Sequence, residues 1–185
     1  STSSGACIIL SFHNGALRPF SLFYSSVAFL ISSSACPTVV TLEATFMRRC
    51  YAFDQPLSLP SGLTTIGNYF LYQCDAFNQP VTVPSSVTKI GTYFLADCRA
   101  LNSPIVLNCP NLTSVGRYFM FSLRAFTSYV NVTAPAPAPT DNYSFSAYIT
   151  SVPAYTTGVQ ICGSWEGQIS SRTSTPYRKI VPCGL

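Results

Sequence analysis

The segment Phe46–Tyr69, FMRRCYAFDQPLSLPSGLTTIGNY, is followed without a gap by Phe70–Tyr93, FLYQCDAFNQPVTVPSSVTKIGTY, so the chain repeats itself at a period of 24 residues. A unit this short cannot bury its own apolar face. It must stack on its neighbours, which makes a solenoid the expected architecture. A third copy, Phe94–Tyr118, carries one extra residue, and a fourth opens at Phe119 as FMFSLRAFTSYVNV before it gives way to Pro-Ala alternation. Upstream, Cys36-Pro37 stands ten residues before Phe46 just as Cys109-Pro110 stands before Phe119. On that register Phe20 opens a degenerate fifth copy with Tyr24 in the cysteine slot. The repeats therefore span at least residues 20–132, behind an N-terminal degenerate coil or cap over residues 1–19.

Within one unit, Phe70, Cys74 and Phe77 fall at i, i+4 and i+7, the spacing that places them on one face of a short helix or helical turn. Val81 and Val83 then alternate as a strand does, bracketed by Pro80 and Pro84. Val87 and Ile90 supply a second apolar pair, and Gly91 is expected to let the chain turn tightly before the next aromatic. The copies agree at Phe46, Phe70, Phe94 and Phe119, at Ala52, Ala76, Ala100 and Ala125, and at Gly67, Gly91 and Gly116, so these slots face an interior that the coils share. The expected fold class is an α/β repeat solenoid. Its coils stack on a parallel β-sheet, neighbours about 4.8 Å apart.

The pattern F-x-x-C-x-x-F-N-x-P-x-x-x-P-S-x-V-T-x-I-G, met as Phe70 to Gly91, resembles the BspA-like leucine-rich repeats of bacterial surface proteins, some protist surface proteins and phage-encoded proteins. The resemblance covers residues 20–132. It implies an adhesion or interaction module and brings no catalytic residue with it. The chain departs from the pattern at its ends, where Glu43 takes the glycine slot and Leu123 the cysteine slot, as atypical capping coils do.

Composition narrows the function further. In 185 residues, 48% are hydrophobic and only 9% charged, so there is material for one core and the surface must be built from Ser, Thr, Asn, Gln and Tyr. Such a surface suits an extracellular protein, a cell surface or a virion. The net charge of +4 is spread along the chain rather than gathered in a run, which argues against nucleic acid as a partner. The most apolar window, Leu17–Ile31, is interrupted by Arg18, Pro19 and serines and falls short of the ~20 apolar residues of a membrane span. Ser1 in place of methionine points to a processed or truncated product.

No cofactor or metal is expected. There is no Cys-x-x-Cys pair, and the sole histidine, His13, has no partner at ligand spacing. Any nucleophile–base arrangement would have to use His13 as well, so an enzyme is not the expected reading. Cys50, Cys74 and Cys98 occupy one slot in three successive coils and read as small buried hydrophobes. A disulfide between neighbours in that ladder is compatible with coil spacing but leaves one thiol over. Cys162 and Cys183, outside the repeats, are the expected disulfide.

Residues 133–140, TAPAPAPT, read as an extended spacer or as a strap along the last coil, and residues 141–185 as a small β-rich C-terminal cap. There Trp165 either plugs the end of the core or serves as a binding anchor. Tyr69, Tyr93 and Tyr118 end successive repeats and line up as a ladder, either to stack on sugar rings and peptide aromatics or to pack as spacers. The slot after each cysteine varies freely, as Tyr51, Asp75, Arg99 and Arg124, and a position free to vary in a fixed frame points to solvent. The candidate binding residues are therefore Tyr51, Arg99, Arg124, Tyr69, Tyr93 and Tyr118. Asn111, Asn131 and Asn142 head glycosylation sequons. The leading expectation is a non-enzymatic extracellular or surface module for adhesion or for binding a protein or glycan; the alternative is a self-associating structural subunit of a filament or phage virion, assembled by coil stacking.

Overall fold

A computed structural model describes residues 39–138 and 160–165 in full, together with the backbone of residues 12–13, 16–17, 159 and 180–182. The strands are β1 (Phe12–His13), β2 (Ala16–Leu17), β3 (Thr41–Leu42), β4 (Thr65–Ile66), β5 (Val81–Val83), β6 (Lys89–Ile90), β7 (Ile105–Asn108), β8 (Ser114–Val115), β9 (Tyr129–Thr133), β10 (Val159–Gly163) and β11 (Ile180–Pro182). They form two sheets, ordered β1-β2-β3-β4-β6-β8 and β11-β10-β9-β7-β5. Apart from the antiparallel β1–β2 pair, every pairing is parallel. Register follows the repeat: Leu42 pairs with Ile66, Ile66 with Ile90 and Ile90 with Val115 in one sheet, and Val81 with Ile105 and Ile105 with Val130 in the other. The parallel solenoid is as expected. The sheet of β1, β2, β3, β4, β6 and β8 is not, because its two-residue strands are too short to show alternation.

The helical turn expected at Phe70–Phe77 is absent, and the described residues contain no helix. Where it was expected, the backbone alternates in and out of the left-handed region. Tyr69, Leu71 and Gln73 have φ of 62°, 52° and 58°, and Tyr93, Leu95 and Asp97 repeat this one coil later at 59°, 54° and 57°. The amides show why the chain does so. The N–H groups of the left-handed residues go in turn to opposite neighbours: Tyr69 N–H donates to Thr92 O (2.8 Å), Leu71 N–H back to Phe46 O (3.2 Å) and Gln73 N–H forward to Ala96 O (3.0 Å). A helix would spend these donors within one coil and leave the stack without them. Each left-handed non-glycine residue costs roughly 1–2 kcal/mol, which the inter-coil bonds and the buried aromatics between them offset.

The side chains of this corner fill the core in columns. Phe46, Phe70, Phe94 and Phe119 stack ring on ring, with centroids 6.3, 5.4 and 4.9 Å apart. Phe53 and Phe77 make a second column at 5.7 Å. Between the columns lie the inward residues of both sheets, among them Ile66, Ile90, Val81, Val83, Ile105, Leu107, Val130 and Val132. The glycine column serves a different purpose from the expected tight turn. None of Gly67, Gly91 and Gly116 has a left-handed φ; a Cβ on Gly91 would sit 2.6 Å from Asn68 N and from Gly67 C, so the slot is where successive backbones approach most closely.

The C-terminal end is closed. Ala134, Ala136 and Ala138 are buried while Pro135 and Pro137 face outward, so the Pro-Ala stretch is a strap laid on the last coil. Trp165 is fully buried edge-on against Phe119 (5.6 Å, 82°), and its Nε1–H donates to Ala136 O at 2.8 Å. Trp165 is thus the plug. Strand β10 continues the second sheet beside β9, Ser164 N–H donates to Val132 O (2.8 Å), and Gly163 takes φ of 76° where any Cβ would meet the Val132 carbonyl.

Candidate interaction surface

The variable slot after the cysteines lies on the outside of the left-handed corner. Inter-coil bonds fix its backbone: Ala76 N–H donates to Tyr51 O (3.0 Å) and Ala100 N–H to Asp75 O (3.1 Å). Tyr51 is 52% exposed, and Arg99 and Arg124 are exposed as well. Arg99 Nε lies 3.6 Å from Asp75 Oδ1, with their side chains 51% and 34% exposed. Such an ion pair in water contributes little stability, about 0–1 kcal/mol. Beside this strip the Arg48 guanidinium lies over the rings of Tyr69 (5.0 Å) and Tyr72 (5.6 Å), and Arg49 Nε–H donates to Gln73 Oε1 at 3.0 Å. Burial first, and then the neighbouring Asp97 carboxylate that Tyr72 meets, push the Tyr72 phenol above its ordinary value.

Tyr69, Tyr93 and Tyr118 are brought together as a half-buried ladder, with ring centroids 5.0 and 4.5 Å apart and planes within 8°. Tyr72 packs edge-on against Tyr69 and Tyr93, and Phe121 against Tyr118. This geometry fits the packing role of the two weighed above. Each inner ring face is covered by the next ring, and the outer face of Tyr69 by Arg48. A sugar stacks on a ring face, and the middle ring, Tyr93, has none left to give. The ladder packs the coils together and offers its edges to solvent.

The thiols of Cys74 and Cys98 are fully buried, and each donates to a carbonyl of the preceding coil, Met47 O and Leu71 O, at 3.0 Å. Cys50 heads the same column and is only half-buried. Cys109 is buried in another corner, where its thiol donates to Pro84 O at 3.3 Å. Cys162 is disulfide-bonded. Cys183 lies outside the described residues, as do Asn142 and the His13 side chain. Asn111 and Asn131 are both exposed, the first in a turn and the second on the outward face of β9. Among the described residues no three His, Cys, Asp or Glu side chains are grouped as a metal site would need, and no helix is long and apolar enough to cross a membrane.

Two polar columns escaped sequence reasoning. Asp54 Oδ1 accepts from Asn78 N–H (2.9 Å), Asn78 Oδ1 from Asn102 N–H (2.7 Å), and Asn102 Oδ1 from Thr127 N–H (2.7 Å). The hydroxyls of Thr64, Thr88 and Thr113 donate to Val40 O, Thr64 O and Thr88 O at 2.9, 3.1 and 2.9 Å. The signal was present as Asp54-Gln55-Pro56, Asn78-Gln79-Pro80 and Asn102-Ser103-Pro104 at the repeat period. It reads as turn chemistry until the coils are known to stack.

Stacked parallel coils, a shared columnar core and a varied outer strip define a repeat solenoid. A sequence profile for the BspA type leucine rich repeat region matches residues 23–149 in six copies, so the chain belongs to that family. The match adds one copy to the five read from the sequence and runs past the Pro-Ala stretch. No curated protein and no solved structure matches the chain.

Proposed function

We propose that this protein is a non-enzymatic repeat module that works outside the cell or at its surface, binding a protein or glycan partner through the strip of Tyr51, Asp75, Arg99 and Arg124. One observation carries the reading. A frame that is nearly identical from coil to coil displays, at one outward slot, side chains that differ completely in character and include exposed Tyr and Arg, the types enriched where binding energy concentrates. Family membership supports the same class of function. The Tyr ladder enters as the wall that holds the strip rather than as a sugar platform. Self-assembly by coil stacking is less well supported, since Trp165 and the strap cover the last coil's core where a second copy would have to dock.

Binding to glycan arrays and to cell surfaces, measured with the folded chain and with a Tyr51→Ala/Arg99→Ala double variant, tests the reading. The expected result is binding that the double variant loses by ~10-fold or more, with stability unchanged to within ~0.5 kcal/mol. Unchanged affinity would move the site to the uncharged outer face of the second sheet around Ser58, Thr82 and Val106. Uniformly absent binding by a folded sample would count against the proposal itself.

A further inference from the structure

We propose that Cys50 is an oxidative modification site, at which a hydroperoxide forms a sulfenic acid that Cys74 of the next coil resolves into a Cys50–Cys74 disulfide clamping the two coils. The backbone already holds the pair in place. Arg49 N–H donates to Tyr72 O (2.7 Å) on one side of the two cysteines and Ala76 N–H to Tyr51 O (3.0 Å) on the other. Coils stacked at ~4.8 Å fall inside the ~4.4–6.8 Å between Cα atoms that a disulfide spans. The Cys74 thiol also points back into the coil that carries Cys50, donating to Met47 O at 3.0 Å.

Access and acidity separate the three thiols of the column. Cys50 is half-buried, so a small peroxide can reach it, whereas Cys74 and Cys98 are closed off. The hydrogen bond from Cys74 lowers the Cys50 thiol below its ordinary value, and that same bond together with burial raises Cys74. Burial pushes Cys98 up to about 12 and, in its separate corner, Cys109 up to about 11. Since the thiolate is the nucleophile, Cys50 reacts first. The odd thiol of the ladder is then Cys98, hydrogen-bonded to Leu71 O and shut away from solvent.

The chemistry balances. The Cys50 sulfur attacks the terminal oxygen of the hydroperoxide, the O–O bond breaks, and the departing alkoxide takes up the Cys50 proton as an alcohol, or as water from hydrogen peroxide. The Cys74 sulfur then attacks the Cys50 sulfur, the S–O bond breaks, and hydroxide leaves with the Cys74 proton as water. Two thiols lose two electrons and one peroxide gains them.

The folded chain is exposed to hydrogen peroxide, quenched by alkylation and mapped by non-reducing peptide mass spectrometry. The expected product is a Cys50–Cys74 cross-link with Cys98 and Cys109 alkylated only after unfolding, and a Tm raised by roughly 5 °C or more, as closing a loop between coils should give. Cys50→Ser, half-exposed and so expected to fold, should leave Cys74 and Cys98 unbridged; Cys98→Ser should form the cross-link at the wild-type rate. A Cys74–Cys98 bridge, a Cys50 bridge between two chains, Cys50 driven to sulfinic acid beside a free Cys74, or no loss of thiols would each overturn the proposal.

Discussion

Phe94 sits between Phe70 and Phe119 in a column of parallel rings and has no exposed surface. Truncation to Ala should cost about 3–5 kcal/mol, read from denaturant unfolding, because neighbours held by their own inter-coil bonds cannot collapse into the space. Unchanged stability would show that the aromatic slot is not interior. Gly91 is the opposite case, a position with no room at all. Gly91→Ala forces a Cβ against the backbone of Asn68 and Gly67 and should cost about 1–3 kcal/mol, although Ala is ordinarily favoured over Gly on entropic grounds. A gain in stability would mean that the coils are farther apart there than 2.6 Å implies. Both slots were legible in the sequence as identities that recur between copies. What recurrence could not say was why glycine recurs, since a tight turn and a close approach demand the same residue.

The left-handed corner is the element that sequence reasoning misread, and the reason is physical. Apolar residues at i, i+4 and i+7 mark one face of a helix only if successive residues share one conformation. Alternation between right- and left-handed residues brings Phe70, Leu71, Cys74 and Phe77 into the core by another path. Nothing in the side chains announces left-handed φ when the residues are Tyr, Leu and Gln rather than Gly or Asn; the hydrogen bonds of the neighbouring coils impose it. The strand at Val81–Val83 was legible because it is long enough to alternate and is bracketed by proline, whereas Thr65–Ile66 and Lys89–Ile90 are not. The outward strip was legible as variation within a fixed frame. A pair of variants tests the corner by sign. Gln73→Gly and Gln73→Ala lose the same exposed bond to Arg49, so their difference reports the backbone alone. At a φ of 58° Gly should be the more stable by ~1 kcal/mol; in a helix Ala would lead by about that much.

Across the whole molecule, the tail completes the solenoid's own sheet and plugs its end. Trp165→Ala should uncover Phe119, leave the Ala136 carbonyl without its donor and cost about 3–5 kcal/mol in thermal or chemical unfolding; a loss below ~1 kcal/mol would make the tail a mere appendage. Cys162 is disulfide-bonded, and non-reducing peptide mapping should recover Cys183, the other cysteine outside the repeats on the C-terminal side, as its partner. The central claim is that the coils are joined by hydrogen bonds at the corner as well as along both sheets, giving the rigid frame on which the strip is displayed. Native-state hydrogen exchange measured by NMR tests it directly. The amides of Leu71, Gln73, Leu95 and Asp97, each bonded to a neighbouring coil, should be protected to the same degree as those within β5 and β7. Exchange of these four at the rate of open turns, with the strands still protected, would contradict the account.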